Sequence, residues 1–227
     1  MKSIPILFED NHLLVVVKPP DLLTQGDITG DPDLLSILKQ DIKERYHKPG
    51  NVYLGLVHRL DRPVGGVMVF AKSSKAAARL SDQIRRRKFK KTYLAVVHGL
   101  PAKEKETLIN YLLKDKKTNK VLVVKEGVEG AKEAILEYEV VAYSHPYSLM
   151  KINLHSGRPH QIRVQFSKIG HPLLGDKRYG RKDDFSQIAL WSYRLSFEHP
   201  TLREWVEFSA LPEKRPPWIY FPLSKLG

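Results

Sequence analysis

Apolar and polar positions along the chain follow two periods. Ile4 to Phe8 and His12 to Lys18 are short apolar runs on either side of Glu9-Asp10-Asn11, which predicts a hairpin. Asp31-Pro32 reads as an N-cap followed by proline at the first helical position. Beyond it Leu34, Leu35, Leu38, Ile42 and Tyr46 recur at helical spacing, predicting a helix from about 32 to 47 that Pro49-Gly50 stops. Val67 to Ala71 predicts a compact strand. Ser73 or Ser74 then caps a second helix with Ala77, Leu80 and Ile84 on one face. Thr92 to Val97, Val121 to Lys125, Ala134 to Val141 and Ser148 to Leu154 predict further strands. Pro159 stands at the start of a third helix, with Ile162, Phe166 and Ile169 as its buried stripe and Gly170 as its end. Ile188 to Phe197 and Trp205 to Phe208 predict two late strands joined by His199-Pro200. Strands often follow one another with no helix between them. The expected fold is therefore α+β, with a largely antiparallel mixed sheet and flanking helices. No internal repeat, low-complexity tract or linker divides the chain. One domain over residues 1–227, of one or two lobes, is expected.

Composition narrows the function. The 227 residues carry 38 Lys and Arg against 25 Asp and Glu, a net charge of +13, and no cysteine. Disulfide scaffolds, thiol nucleophiles, zinc knuckles and iron–sulfur clusters are excluded. No apolar run is long enough for a membrane helix. The start, Met1-Lys2-Ser3-Ile4-Pro5 with Glu9 and Asp10 soon after, resembles neither a secretory signal nor a transit peptide, so a cytoplasmic location is expected. The excess charge favours a polyanionic partner, nucleic acid above all, against the plainer reading of a solubilising surface. It is clustered. Arg85-Arg86-Arg87-Lys88-Phe89-Lys90-Lys91 places six cations in seven residues. A second basic stretch runs from Lys114 to Lys125, and a third comprises Lys177, Arg178, Arg181 and Lys182. Together they suggest a track for a phosphate backbone.

The search for reactive groups leaves one segment. There is no Gly-Lys-Ser/Thr phosphate loop, no G-x-G-x-x-G after a strand and no G-x-S-x-G elbow. Nine histidines include no H-x-x-x-H pair, and His155 and His160, five apart, read as hydrogen-bonding or loop residues. A metal-independent mechanism is preferred. What remains is His58-Arg59-Leu60-Asp61-Arg62-Pro63-Val64-Gly65-Gly66, a carboxylate between two arginines ahead of a Gly-Gly loop and a buried strand. Taken alone, Asp61 fits a turn cap. Flanking guanidinium groups favour its ionised form, which can serve as a nucleophile, a base or a structural partner.

This segment resembles the H-R-L-D-x-x-[TS]-[SG]-G signature of the RluA family of RNA pseudouridine synthases. Lys91-Thr92-Tyr93-Leu94-Ala95 is similar to the family's K-x-Y-x-A segment. Gly157-Arg158-Pro159-His160-Gln161-Ile162-Arg163 is similar to its G-R-x-H-Q-I-R segment. Gly170 to Asp176 with Tyr179-Gly180 resembles G-x-P-L-x-G-D-x-x-Y-G, and the opening hairpin with Lys18-Pro19-Pro20 resembles the family's start. The motifs keep their order over residues 4 to 210. One departure is that Val64 and Gly65 stand where the family usually has hydroxyl residues.

The resemblance implies a pseudouridine synthase fold with a central RNA-binding cleft, of the stand-alone type without an S4 domain. It implies conversion of uridine in structured RNA, ribosomal or transfer, to its C-glycoside isomer, without a cofactor. The N1–C1′ bond breaks, the held uracil turns, and C5 bonds to C1′. Asp61 is the implied essential carboxylate, whether it attacks the sugar, attacks the base or removes a sugar proton. Tyr93 would lie against the uracil face, and Arg163 would pair with Asp61. Arg59 would reach into RNA beside the extruded uridine. His58, which with Leu60 packs and orients the segment, falls on the substrate side with His160 and Gln161. Arg85, Arg86, Arg87 and Lys88 would contact the backbone. A monomer is the simplest expectation. The competing readings are a non-catalytic RNA-binding or ribosome-assembly protein that keeps the fold, and a metal-dependent nuclease. The joint presence of Asp61, Tyr93 and Arg163 favours the enzyme.

Overall fold

A computed structural model of the chain describes residues 3–115 and 117–226. They fall into two compact units, Met1–Lys90 with Ser192–Ala210, and Lys91–Trp191 with Leu211–Gly227.

The first unit opens with the expected hairpin, β1 (Ile6–Glu9) and β2 (Leu13–Lys18), paired antiparallel. Its tight turn is held by Asp10, whose carboxylate accepts the N–H groups of His12 and Leu13 at 2.7 and 2.6 Å. Helix α1 (Leu34–Arg45) buries Leu34, Leu38 and Ile42. Its N-cap is Asp33, not Asp31: Asp33 accepts Ser36 N–H at 3.0 Å, and Pro32 lies outside the helix. A cap of this kind is worth about 1 kcal/mol. After the two-residue β3 (Gly55–Leu56) comes β4 (Gly65–Ala71), buried throughout and antiparallel to both β2 and β3. Such a strand, covered on both faces, reads as a continuous apolar run. Helix α2 (Ser74–Arg85) is capped by Ser73, which accepts Ala76 N–H.

The second unit holds β5 (Lys90–His98, from Lys91 on), β6 (Lys105–Lys114), β7 (Val121–Val124), β8 (Lys132–Ser144) and β9 (Tyr147–Leu154). Their order is β5-β9-β8-β6-β7, with every neighbouring pair antiparallel. Strand β6 has no counterpart in the periodicity analysis. Its Leu108 and Leu112 face inward, but Ile109 is exposed and Tyr111 and Leu113 break the alternation. Pairing on both sides, with β7 and β8, makes it a strand. Helix α3 (Gln161–Lys168) is shorter than its pattern suggests. It buries Gln161 to Phe166, and Gly170, at φ +84°, turns the chain after it.

The chain then returns through β10 (Leu190–Glu198), of which Ser192–Glu198 belongs to the first unit, and β11 (Trp205–Ser209), antiparallel to it. The first unit's order is β1-β2-β4-β10, with β3 on β4 and β11 on β10. Leu13, Val15, Val67, Leu80, Phe89 and Phe197 lie in its core, and the Phe89 and Phe197 rings stack at 4.8 Å. The α+β class and the antiparallel pairing inferred from the pattern hold.

Candidate active site

In the first unit, residues 58–64 form the loop between β3 and β4. Leu60, 6 % exposed, plugs it into the core. The Thr24 hydroxyl donates to Leu60 O at 2.8 Å and accepts Leu60 N–H at 3.4 Å. Beyond Asp61, the Arg62 carbonyl accepts from Lys18 Nζ at 3.1 Å, and Pro19 O accepts from the same ammonium at 3.0 Å. Val64 N–H donates to Asp61 O at 2.9 Å and closes the turn. The backbone is thus tethered on both sides of Asp61, whose side chain remains half-buried.

Lys18, at the end of β2, is the unexpected support of this loop. It is fully buried, at the end of a strand that otherwise carries only apolar residues. Burial lowers its ammonium to about 7, against the pull of the Asp21 and Asp61 carboxylates. The signal was present in Lys18-Pro19-Pro20, but a lysine closing a strand looks like a solvent-facing end. At the far side of the loop Gly66 has φ +124°, and a Cβ there would lie 2.3 Å from Ser192 O. Only glycine lets β4 start flush against that backbone. Val64 and Gly65 are buried beside it, in positions where a hydroxyl would need a partner.

His58 Nε2 accepts Val69 N–H at 3.1 Å, and its ring lies 5.7 Å from Phe89. Accepting at Nε2 leaves the proton on Nδ1 of the imidazole. Arg59 is exposed. Arg62 pairs with Asp31 at 2.7 Å.

In the second unit, Tyr93 stands in β5, opposite Ile152 of β9, and is 6 % exposed. Arg163, which helical spacing alone would leave on the surface of α3, is 7 % exposed. Its guanidinium forks onto Asp176, Nε to Oδ2 at 2.8 Å and Nη2 to Oδ1 at 2.7 Å. Asp176, 2 % exposed, also accepts the N–H groups of Arg178 at 2.9 Å and Tyr179 at 3.1 Å. Burial alone would raise its carboxyl; the Arg163 hydrogen bonds and charge, with the two N–H groups, outweigh that and hold it below the usual range. The Arg163 guanidinium also lies over the Tyr179 ring, 5.2 Å from its centre. Tyr179 Oη accepts Val121 N–H at 2.9 Å and lies 2.7 Å from His160 Nδ1. His160 has left-handed backbone (φ 52°) at the N-cap of α3. Gln161 is buried, and its Oε1 accepts from Ser156 Oγ at 2.9 Å and Arg158 N–H at 3.1 Å, folding the loop before the helix. Asp176 and Tyr179 were legible only as letters of a motif; their joint grip on Arg163 needed coordinates.

The basic clusters are exposed apart from Lys91, which is half-buried, and Phe89, which lies in the core. Arg85 and Arg86 both pair with Asp82 at the end of α2, and Arg87 turns into left-handed backbone (φ 57°). Lys114, Lys117 and Lys120 are exposed in the β6–β7 hairpin; Lys116 lies outside the described residues. Arg178 Nη1 donates to Asn119 O at 2.7 Å, which joins the second cluster to the third. Among the described residues no three His, Asp or Glu side chains gather to hold a metal ion, and no helix is long and apolar enough to cross a membrane.

Comparison with known proteins shows the family. A family model described as RNA pseudouridylate synthase matches residues 12–168. An Aquifex aeolicus protein named as an uncharacterized RNA pseudouridine synthase is 38 % identical, covering 90 % of this chain and 68 % of its own length. The ribosomal large subunit pseudouridine synthase C of Buchnera aphidicola is 36 % identical, covering 86 % of this chain and 63 % of its own length. The chain therefore spans about two thirds of these relatives. Among solved structures, human RNA pseudouridylate synthase domain containing 1 superposes with a TM-score of 0.75 at 25 % identity, over 96 % of this chain and 86 % of that one.

Proposed function

The chain belongs to the RNA pseudouridine synthases, which isomerise uridine in RNA to pseudouridine, and from that premise we propose that it acts on uridines of structured cytoplasmic RNA, ribosomal or transfer, as a monomer and with Asp61 as its essential carboxylate. One observation carries the assignment of Asp61. The carbonyls on either side of it, Leu60 O and Arg62 O, are each held by an inward-facing side chain, Thr24 and Lys18. A carboxylate that merely capped a turn would not need its flanking backbone fixed from the core. Fixing it limits the motion of the reactive oxygens, the condition for an oriented attack or proton transfer.

Tyr93 offers its ring to the uracil; stacking of this kind is worth about 1–3 kcal/mol per base and tolerates rotation of the base in its plane. Arg163 serves the same reaction as a fixed cation. Arg59, exposed on the Asp61 loop, occupies the space left by the extruded uridine, where a cation offsets the few kcal/mol lost on unstacking. The test is mapping of pseudouridines in cellular RNA with and without this gene. One or more uridines of ribosomal or transfer RNA should remain unmodified without it. An unchanged map together with an inactive purified protein would favour a non-catalytic RNA-binding role.

The basic run gives a second test. Arg85, Arg86, Arg87 and Lys88 are exposed where α2 ends, and Asp82 offsets part of the charge. Reversing Arg85, Arg86 and Arg87 to glutamate should weaken RNA binding and flatten the dependence of log K on log salt, by roughly 0.7–0.9 for each phosphate no longer neutralised. Filter binding from 50 to 200 mM salt measures it. An unchanged slope would mean that the run only caps a helix.

A further inference from the structure

Lys91 is a half-buried cation to which the described residues offer no counter-charge. It opens the second unit's part of β5, two residues before Tyr93. Strand alternation puts both side chains on one face, about 6.6 Å apart along the strand. We propose that Lys91 binds a backbone phosphate of the nucleotide whose base lies on Tyr93; the inference rests on the stacking role given to Tyr93 above. A strand that offers a ring for the base and an ammonium two residues away matches the two ends of one nucleotide.

The surroundings support this. Nζ is directed at Gly157: a Cβ there would approach it to 3.3 Å, so glycine keeps the space above the ammonium open. Among the described residues no carboxylate, hydroxyl or carbonyl accepts a hydrogen bond from Nζ. Neighbouring polar groups are engaged elsewhere. The Thr92 hydroxyl donates to Asn153 Oδ1, Arg158 Nε donates to Glu133 O, and the Glu137 carboxylate lies 3.2 Å from His155. Burial lowers the Lys91 ammonium below its ordinary value, and no acidic group raises it again. Lys18 differs, since two carbonyls and two carboxylates face it and oppose the effect of its burial. A partly desolvated cation without a counter-charge costs stability that a bound anion offsets. In a protein that binds RNA, the phosphodiester is that anion.

The test compares wild type with Lys91→Met, Lys91→Arg and Tyr93→Ala on RNA from cells lacking the gene. It reads kcat and KM for pseudouridine formation, binding between 50 and 200 mM salt, and melting temperature. Lys91→Met should raise KM about tenfold with a smaller change in kcat, and lower the salt slope by the share of about one phosphate. The same variant should melt at or above the wild-type temperature, because it no longer desolvates a charge. Lys91→Arg should restore most of the binding. A Lys91→Met variant with wild-type KM and salt slope overturns the inference. If Tyr93→Ala is defective while Lys91→Met is not, the stacking role stands and only the Lys91 inference falls. If Tyr93→Ala changes nothing, the role of Tyr93 fails and the inference falls with it.

Discussion

Asp61→Asn is expected to abolish pseudouridine formation while leaving the fold and RNA binding in place. The substitution keeps the size of the side chain and removes the charge. The tethers of the loop lie in the backbone and in Thr24 and Lys18, so they survive it. The Val64 N–H to Asp61 O turn bond survives as well. The ionised oxygen disappears, and it is needed whether Asp61 attacks the sugar, attacks the base or removes a proton. A positioned base alone contributes about 10²–10⁴-fold, so the rate should fall at least that far. The assay is tritium release from C5-labelled uridine in RNA from cells lacking the gene, beside filter binding of the same RNA. Turnover within a few-fold of wild type would remove Asp61 from the chemistry. Abolished binding with a lowered melting temperature would assign it a structural part.

The environment of Asp61 explains which parts of the site sequence could show. Local features were legible because they depend on neighbours in the chain. The Asp10 turn, the Ser73 cap, the Gly170 helix end and the apolar runs of β2 and β4 are of this kind. Asp33 displaced Asp31 as the cap of α1 because both are reasonable caps two residues apart. The hydrogen bond to Ser36 decides between them, and no periodicity reports it. Strand β6 was missed because its apolar residues follow no single period and its pairing comes from β7 and β8.

For the proposed site residues, motif order marked Asp61, Tyr93 and Arg163 but not what positions each of them. Thr24 and Lys18 reach the Asp61 loop from 36 and 44 residues away. Asp176 reaches Arg163 over 13 residues and across a turn that Gly175 alone permits, at φ +69° with a Cβ position 2.2 Å from Gln187 O. Such supports combine a polar residue with burial. A sequence shows the first and hides the second.

The support beneath Arg163 leads to the second large effect. Asp176→Asn should destabilise the protein by about 3–5 kcal/mol, since it removes the carboxylate that forks with a buried guanidinium. At about 2–4 °C per kcal/mol for a chain of this size, the melting temperature falls by roughly 10 °C. The amide cannot restore the fork, because its NH₂ would face the N–H groups of Arg163. The pH dependence separates this pair from other losses. The folded carboxyl of Asp176 is held below its ordinary value, so the unfolded chain binds the proton more readily. Its contribution is therefore complete above the unfolded value of about 3.9 and disappears as pH falls through the lower folded value. The gap in melting temperature between wild type and Asp176→Asn should be constant above about pH 5 and narrow below about pH 4. Other lowered carboxylates, Glu9 and Asp10 among them, titrate in both proteins and cancel in the difference. Parallel curves down to the acid limit would show that the Asp176 charge does not stabilise the fold. Because Arg163 also loses its fixed orientation, pseudouridine formation should fall at temperatures where the variant is still folded. Activity that stays at the wild-type level in the folded variant would separate the stability of this pair from the reaction.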